Sequence, residues 1–428
     1  MSVNIMSPNI LSGNILVRNI DADRIKDAGQ WVFIYGRRKT GKTFFVKNFL
    51  KWDEYFFIGK EAIFDKDLNR INYDTFLEIF KRSIGSKAIV IDEFHRLPES
   101  FFDLLHYIGK KGDLVVLSST LWLSKKLLGQ GSPMLGLFTP FQMNLTDERD
   151  VIAYLAGKGV EGAELVEAGI YLREVTLIPN YKPPARKFMA SHILNYKSFV
   201  KDMIREIFDE EEREISKVYE GIMEAVASGK SVSTEMSSHL YSVGAIPKDN
   251  PGFIQRYLDA LVNIGILGRT KVFEGRKYRY FHTSPLLDLY FYLNQKYGFG
   301  ECDVPLEFIE KVIDEKLPFH AEMFFANLLS KIYGLQKTII DDPQIDIALM
   351  SFKKLALVGE VKWKKRIRAD EIKSIEQKLS EFGNIRKILV VPEMKALEYV
   401  PKGIEIIDAS RLKVLLKKRK GMPPEEEQ

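Results

Sequence analysis

Eight consecutive residues carry the strongest chemical signal in the chain: Gly36-Arg37-Arg38-Lys39-Thr40-Gly41-Lys42-Thr43. The two glycines let the backbone curl so that successive N–H groups face an anion, and a helix opening behind the loop adds its positive pole. In this pattern Lys42 reaches the β- and γ-phosphates of a nucleotide and the Thr43 hydroxyl ligates Mg²⁺. A second signal is Asp92-Glu93, two acids closing the apolar run Ile89-Val90-Ile91. There Asp92 is suited to hold Mg²⁺ and Glu93 to orient or deprotonate an attacking water. Ser119 closes another apolar run, Leu114 to Leu117. It either contacts the γ-phosphate or water, or belongs with Thr120 to the N-cap of a following helix.

A third constellation lies far downstream: Glu322, then Asp346, then Glu360-Val361-Lys362. Strand alternation puts Glu360 and Lys362 on one face, and a hairpin can bring Asp346 beside Glu360. Glu322, Asp346 and Glu360 are then candidate Mg²⁺ ligands. Glu360 and Lys362 are candidate catalytic groups, the lysine stabilising charge on an attacked phosphate. As a bare pattern this is weaker than the loop. The same residues fit a retained interaction surface equally well.

The elements that must position these residues are legible around them. Trp31 to Tyr35 reads as a strand entering the loop, and Phe44 to Leu50 as the helix leaving it. Tyr55 to Ile58, Lys87 to Ile91, Leu114 to Leu117 and Pro140 to Leu145 supply further strands. Around the downstream acids, a helix from Pro318 to Tyr333 carries Glu322. Strands at 344–349 and 355–362, a helix at 369–382 and strands at 387–391 and 404–407 follow.

Between these regions, helical spacing at about 212–228, 233–241 and 251–264 precedes two strand-like stretches. These are Ile266 to Phe273 and Lys277 to His282, separated by Glu274-Gly275-Arg276. Three helices and a β-ribbon make a winged helix, whose third helix is expected to expose Gln255 and Arg256. The ribbon carries Arg269, Lys271, Arg276, Lys277 and Arg279. It suits DNA backbone contact, or the domain acts as a spacer.

Tyr35-Gly36-Arg37-Arg38 with Gly41-Lys42-Thr43, Ile91-Asp92-Glu93-Phe94 and Leu117-Ser118-Ser119 together resemble the archaeal ATPase family, a branch of the AAA+/STAND NTPases. The resemblance implies an α/β fold with a five-stranded parallel sheet in residues 1–145 and a helical lid in 146–210. The winged helix follows in 211–290. Residues 291–428 resemble a PD-(D/E)XK nuclease, an α/β restriction-endonuclease-like domain, as recurs in that family. In Ser132-Pro133-Met134-Leu135-Gly136-Leu137, Leu137 stands where the family places an Arg that can assist hydrolysis. Slow turnover of ATP is therefore expected, with ATP state regulating a Mg²⁺-dependent nuclease. The alternative is a signalling switch whose nuclease-like domain is inactive.

Composition sets the outer bounds. With 428 residues, several domains are expected, and 46% hydrophobic content supports real cores. Cys302 is the single cysteine, which excludes an intrachain disulfide. No apolar run reaches membrane-spanning length and no signal segment is evident, so a cytoplasmic protein is expected. Net charge is only +5, yet from Lys353 to Lys373 basic residues outnumber acids eight to three. The expected partners are ATP, DNA on that basic C-terminal surface and on the winged helix, and either further copies of the chain or another protein.

Overall fold

The computed structural model describes residues 16, 18–120, 129, 136–210 and 216–417. Residues 132–135 of the segment upstream of Leu137, and the start of the helix expected from 212, lie outside the described residues. The chain divides into two compact units. One comprises Met1–Asp147, Asp202–Ile215 and Asn263–Gly265; the other comprises Glu148–Lys201, Ser216–Val262 and Ile266–Gln428.

The first unit is built on seven strands: β1 (Trp31–Tyr35), β2 (Glu54–Ile58), β3 (Ile63–Phe64), β4 (Arg70–Ile71), β5 (Ile89–Asp92), β6 (Leu114–Ser118) and β7 (Thr139–Gln142). Their order is β4-β3-β2-β5-β6-β1-β7. The five strands β2, β5, β6, β1 and β7 run parallel, while β3 and β4 extend the edge antiparallel. The expected five-stranded parallel sheet is thus present and gains two short strands. Alternate residues feed opposite faces. Phe33, Phe56, Ile91 and Val116 pack with Phe76, Phe80, Phe101 and Leu105 from the helices Tyr73–Ser83 and Glu99–Ile108. Val32, Ile34, Val90 and Leu117 pack with Ile25, Phe45, Val46 and Phe49 from the helices Asn19–Lys26 and Lys42–Phe49. A parallel sheet covered on both faces requires such strands to be apolar throughout.

The second unit opens with helices Glu148–Gly157, Gly162–Tyr171, Ala185–Asn195 and the start of Lys197–Glu210. Helices Lys217–Ala227, Ser233–Ser242 and Pro251–Asn263 lead into an antiparallel hairpin of β8 (Leu267–Lys271) and β9 (Tyr278–His282). Then come the helices Pro285–Tyr297 and Leu306–Tyr333. The latter starts twelve residues before the expected Pro318 and runs through that proline.

A five-stranded sheet closes the unit, in the order β10 (Gln336–Asp341), β11 (Gln344–Ser351), β12 (Lys354–Val361), β13 (Arg386–Val390), β14 (Glu405–Ile407). Strand β10 was not expected from the sequence. β10, β11 and β12 are antiparallel neighbours, whereas β13 and β14 join in parallel. Helix Ala369–Ser380 covers one face through Ile372, Ile375 and Leu379.

Candidate functional site

The phosphate loop lies at the carboxyl end of β1, beside the ends of β5 and β6, where open α/β sheets place their ligands. Two glycines make its path. Gly41 sits at φ +88, in the left-handed region, immediately before the helix Lys42–Phe49. Gly36 passes so close to the chain just beyond β7 that a Cβ there would lie 2.1 Å from the Met143 carbonyl oxygen. The turn closes through the Thr40 hydroxyl, which donates to the Arg37 carbonyl at 2.9 Å.

Lys42 points back into the loop. Its ammonium donates to the carbonyls of Gly36 at 2.7 Å and Arg37 at 2.9 Å. Burial lowers its pKa to about 8, against the pull of Glu93 and Asp92 in the other direction. A buried ammonium held only by neutral carbonyls is poised to gain from an incoming phosphate. Arg38 and Lys39 each pair with Glu206 of the helix Lys197–Glu210, at 2.9 and 3.9 Å.

Asp92 ends β5 and is buried. Its Oδ2 accepts from the Thr43 hydroxyl at 2.8 Å and from the Tyr55 hydroxyl at 2.6 Å. Burial and the Asp92 charge raise the Tyr55 pKa well above its ordinary value. Thr43 and Asp92 form a hydroxyl–carboxylate pair beside Lys42, which suits Mg²⁺ with a nucleotide; they are the residues that would hold the ion. Glu93 follows at φ +57, a left-handed conformation rare outside glycine. Its Oε2 accepts from the Ser119 hydroxyl at 2.8 Å and the Ser119 N–H at 3.3 Å. The Ser119 side chain thus meets the second acid, and the helix that it or Thr120 would cap lies outside the described residues. The His95 Nδ1 stands 3.5 Å from the same Glu93 oxygen and 3.1 Å from the Ser118 hydroxyl.

Sequence reasoning assigned no role here to Arg18, Tyr55, His95 or Glu206. The buried Arg18 donates to the Thr40 carbonyl at 2.7 Å and to the Asn144 carbonyl at 2.8 Å. It ties the loop to the chain beyond β7. No local spacing announces such a residue.

In the second unit, the β11–β12 register pairs Ile347 with Gly359, which sets Asp346 and Glu360 at the next position of the hairpin. The Lys362 ammonium lies 2.8 Å from Glu360 Oε2 and 3.5 Å from Asp346 Oδ2. Asp346 Oδ2 also accepts from the Val361 N–H at 2.8 Å. Glu322 belongs to the same cluster: burial first, and Asp346 and Glu360 after it, raise its pKa to about 8. Burial and Glu360 likewise push Asp346 up. Burial pulls the Lys362 ammonium down, but Asp346 and Glu360 outweigh it and hold it above its ordinary value.

The expected metal cage is not what these side chains form. Among the described residues, no group of three or more His, Cys, Asp or Glu side chains stands ready to hold a metal ion. The reason is visible at the buried Glu360. Lys362 takes one oxygen, and Lys378 of the helix Ala369–Ser380 takes the other at 2.6 Å. Asp346, Glu360 and Lys362 are brought together as an ion-paired cluster, and Glu322 lies near enough to feel their charges.

The hairpin β8–β9 and the helices Ser233–Ser242 and Pro251–Asn263 enclose an open cleft of about 360 Å³, lined by Ser233, Thr234, Arg269, Arg276, Lys277 and Tyr278. Arg269 pairs with Asp259 at 3.0 Å and stacks on Tyr278; Arg279 pairs with Asp341 at 2.8 Å. Arg256 is exposed as expected, whereas Gln255 is half-buried and donates to the Tyr280 hydroxyl at 3.3 Å. Among the described residues no helix is long and apolar enough to cross a membrane.

Residues 28–135 match the family model described as an AAA domain. No curated protein matches the chain. Among solved structures, the chain is similar to the Walker-type ATPase PABY2304 of Pyrococcus abyssi at 14% identity and TM-score 0.41, covering 67% of this chain and 98% of that one. It is similar to the Aeropyrum pernix ORC2 protein at 12% identity and TM-score 0.38, covering 75% and 98%. For the Aeropyrum pernix ORC1 protein in complex with DNA the identity is 12% and the TM-score 0.27, covering 66% and 94%. The matched AAA domain contains the phosphate loop, both acids and Ser119, and the protein is a P-loop ATPase.

Proposed function

We propose that this ATPase couples its nucleotide state to an action on DNA. In this reading residues 1–145 are the ATPase core and 146–210 its helical lid. Residues 211–290 form a winged helix and 291–428 a nuclease-like domain, in a cytoplasmic protein. The observation that carries the DNA reading is the cleft lined by Arg269, Arg276, Lys277 and Tyr278 between a hairpin and two helices. Three helices and a β-hairpin in that order have the make-up of a winged helix, and cations beside aromatics suit phosphodiesters and bases. ATP and Mg²⁺ are its cofactors, with Lys42, Thr43, Asp92, Glu93 and Ser119 as the hydrolytic set. Leu137 is half-buried against the apolar core and offers no guanidinium, which favours slow, switch-like turnover.

Fluorescence anisotropy with duplex DNA at several salt concentrations tests the reading. Replacing Arg276 and Lys277 by Ala should weaken binding to all sequences and lower the salt slope by about 2. Equal affinity and slope in both proteins would sink it.

A second reading, an ATP-dependent interaction switch with an inactive nuclease-like domain, is favoured by one observation. Both oxygens of Glu360 are held by lysines. Cleavage of several DNA forms with Mg²⁺ and ATP, compared between wild type and Asp346→Ala, separates the two. Cleavage lost in the variant supports the nuclease, whereas no cleavage by either protein supports the switch.

A further inference from the structure

The carboxylate of Glu360 is buried, with both oxygens engaged by different segments. Lys362, just past the end of β12, reaches Oε2 at 2.8 Å; Lys378 reaches Oε1 at 2.6 Å. Lys378 is itself anchored, donating to the Gln344 carbonyl at 2.6 Å. It therefore bridges the start of β11 to the middle acid of the cluster. Asp346 is engaged as well, by the Val361 N–H and by Lys362. A hard divalent cation needs carboxylate oxygens at about 2.1 Å in a near-octahedral array. The two ammonium groups already occupy both oxygens of Glu360 and one of Asp346, and they repel a further cation.

We propose that Lys378 is a built-in counter-ion standing in for a divalent cation at Glu360, so that the Asp346–Glu360–Lys362 cluster holds no magnesium in the wild-type chain. The inference rests on the nuclease-like reading only for the expectation of a metal; the ion pairs stand without it. Lys378 and Lys362 also line an open cleft of about 330 Å³ with Ser374, Asp370 and Glu371, so the cluster opens to solvent on that side. The lysine fixes the acids in place while closing them to metal. Removing its charge leaves Glu360 Oε1 without its cation, beside Asp346 and Glu322.

Mn²⁺ binding in the absence of nucleotide, followed by electron paramagnetic resonance of the free ion, tests this. Wild type and Asp346→Asn should bind Mn²⁺ identically, whereas Lys378→Met should gain one site at least about tenfold tighter than any in wild type. The double variant Lys378→Met with Asp346→Asn should lose that site. ATP binding and a thermal melt report whether each variant is folded. A wild-type Mn²⁺ site that Asp346→Asn removes would overturn the proposal while leaving the nuclease reading intact. A folded Lys378→Met protein that gains no site would overturn it too. Should Lys378→Met not fold, the comparison of wild type with Asp346→Asn decides alone. Absence of DNA cleavage, by contrast, bears on the nuclease reading and leaves the ion binding to be read separately.

Discussion

The Ser119 hydroxyl donates to the Glu93 carboxylate across 2.8 Å, joining the end of β6 to the acid that follows β5. Glu93 sits in a left-handed conformation, so its position depends on partners rather than on backbone preference. Ser119→Ala removes one of them. ATP turnover should fall about tenfold with little change in ATP affinity, since orientation of a base matters to the reaction more than to binding. Glu93→Gln should keep binding and reduce turnover by at least about a hundredfold. Steady-state phosphate release beside equilibrium ATP titration checks both; an unchanged rate in Glu93→Gln would remove it from the role of base.

Lys42 gives the site a pH dependence. In the free protein burial brings its pKa down to about 8 from the 10.5 of an ordinary lysine. Between these values the unfolded chain holds more protons than the folded one, so this group makes nucleotide-free stability rise with pH across that window. Phosphate favours the charged lysine, so ATP binding takes up a proton above pH 8 and affinity falls as pH rises. Calorimetric titrations in buffers of different ionisation enthalpy read the uptake. Lys42→Ala should abolish binding at every pH, and retained binding would refute the loop assignment.

Gly36→Ala should be among the most damaging single changes in the first unit. The added carbon would meet the Met143 carbonyl oxygen at 2.1 Å. That residue cannot easily retreat, because its N–H donates to the Tyr35 carbonyl at 2.7 Å. A loss of about 3 kcal/mol is expected, at the upper end for overpacking. Urea denaturation of the variant measures it, and a loss under about 0.5 kcal/mol, the size of an ordinary surface change, would show that the backbone at Met143 gives way freely.

Tyr55→Phe deletes one of the two hydroxyls on Asp92 Oδ2 and leaves the ring in place. A hydrogen bond to a charged group contributes about 1.5–3 kcal/mol, so the Asp92 carboxylate should be held less firmly in place and the Mg²⁺ requirement for ATP binding should rise. Titrating Mg²⁺ at fixed ATP shows whether the midpoint moves; an unmoved midpoint would mean that Tyr55 plays no part in positioning Asp92.

Much of this was legible because it is local. Buried parallel strands read as unbroken apolar runs, which is why β1, β5 and β6 stand out in the sequence. The phosphate loop is eight consecutive residues, and its chemistry travels with its spacing. Other features resisted for physical reasons. β3 and β4 have two residues each, and Gln336–Asp341 mixes polar and apolar residues on a strand at the end of its sheet. Pro318 suggests a helix start because proline fits the first turn, yet here its missing N–H is absorbed within a long buried helix. Tyr55, Glu206 and Lys378 each arrive singly from distant segments, and only the folded chain shows what they touch.

Arg18 has a practical consequence for anyone trimming the gene. The recognisable AAA domain begins at residue 28 and ends at residue 135. The guanidinium holding the Thr40 and Asn144 carbonyls lies before that stretch. The Met143 carbonyl against Gly36 and the Glu206 carboxylate beside Arg38 lie after it. A recombinant fragment cut to the recognisable borders would keep every motif residue and lose the scaffold around them. Expression boundaries for a working nucleotide domain belong upstream of Arg18 and downstream of Glu206.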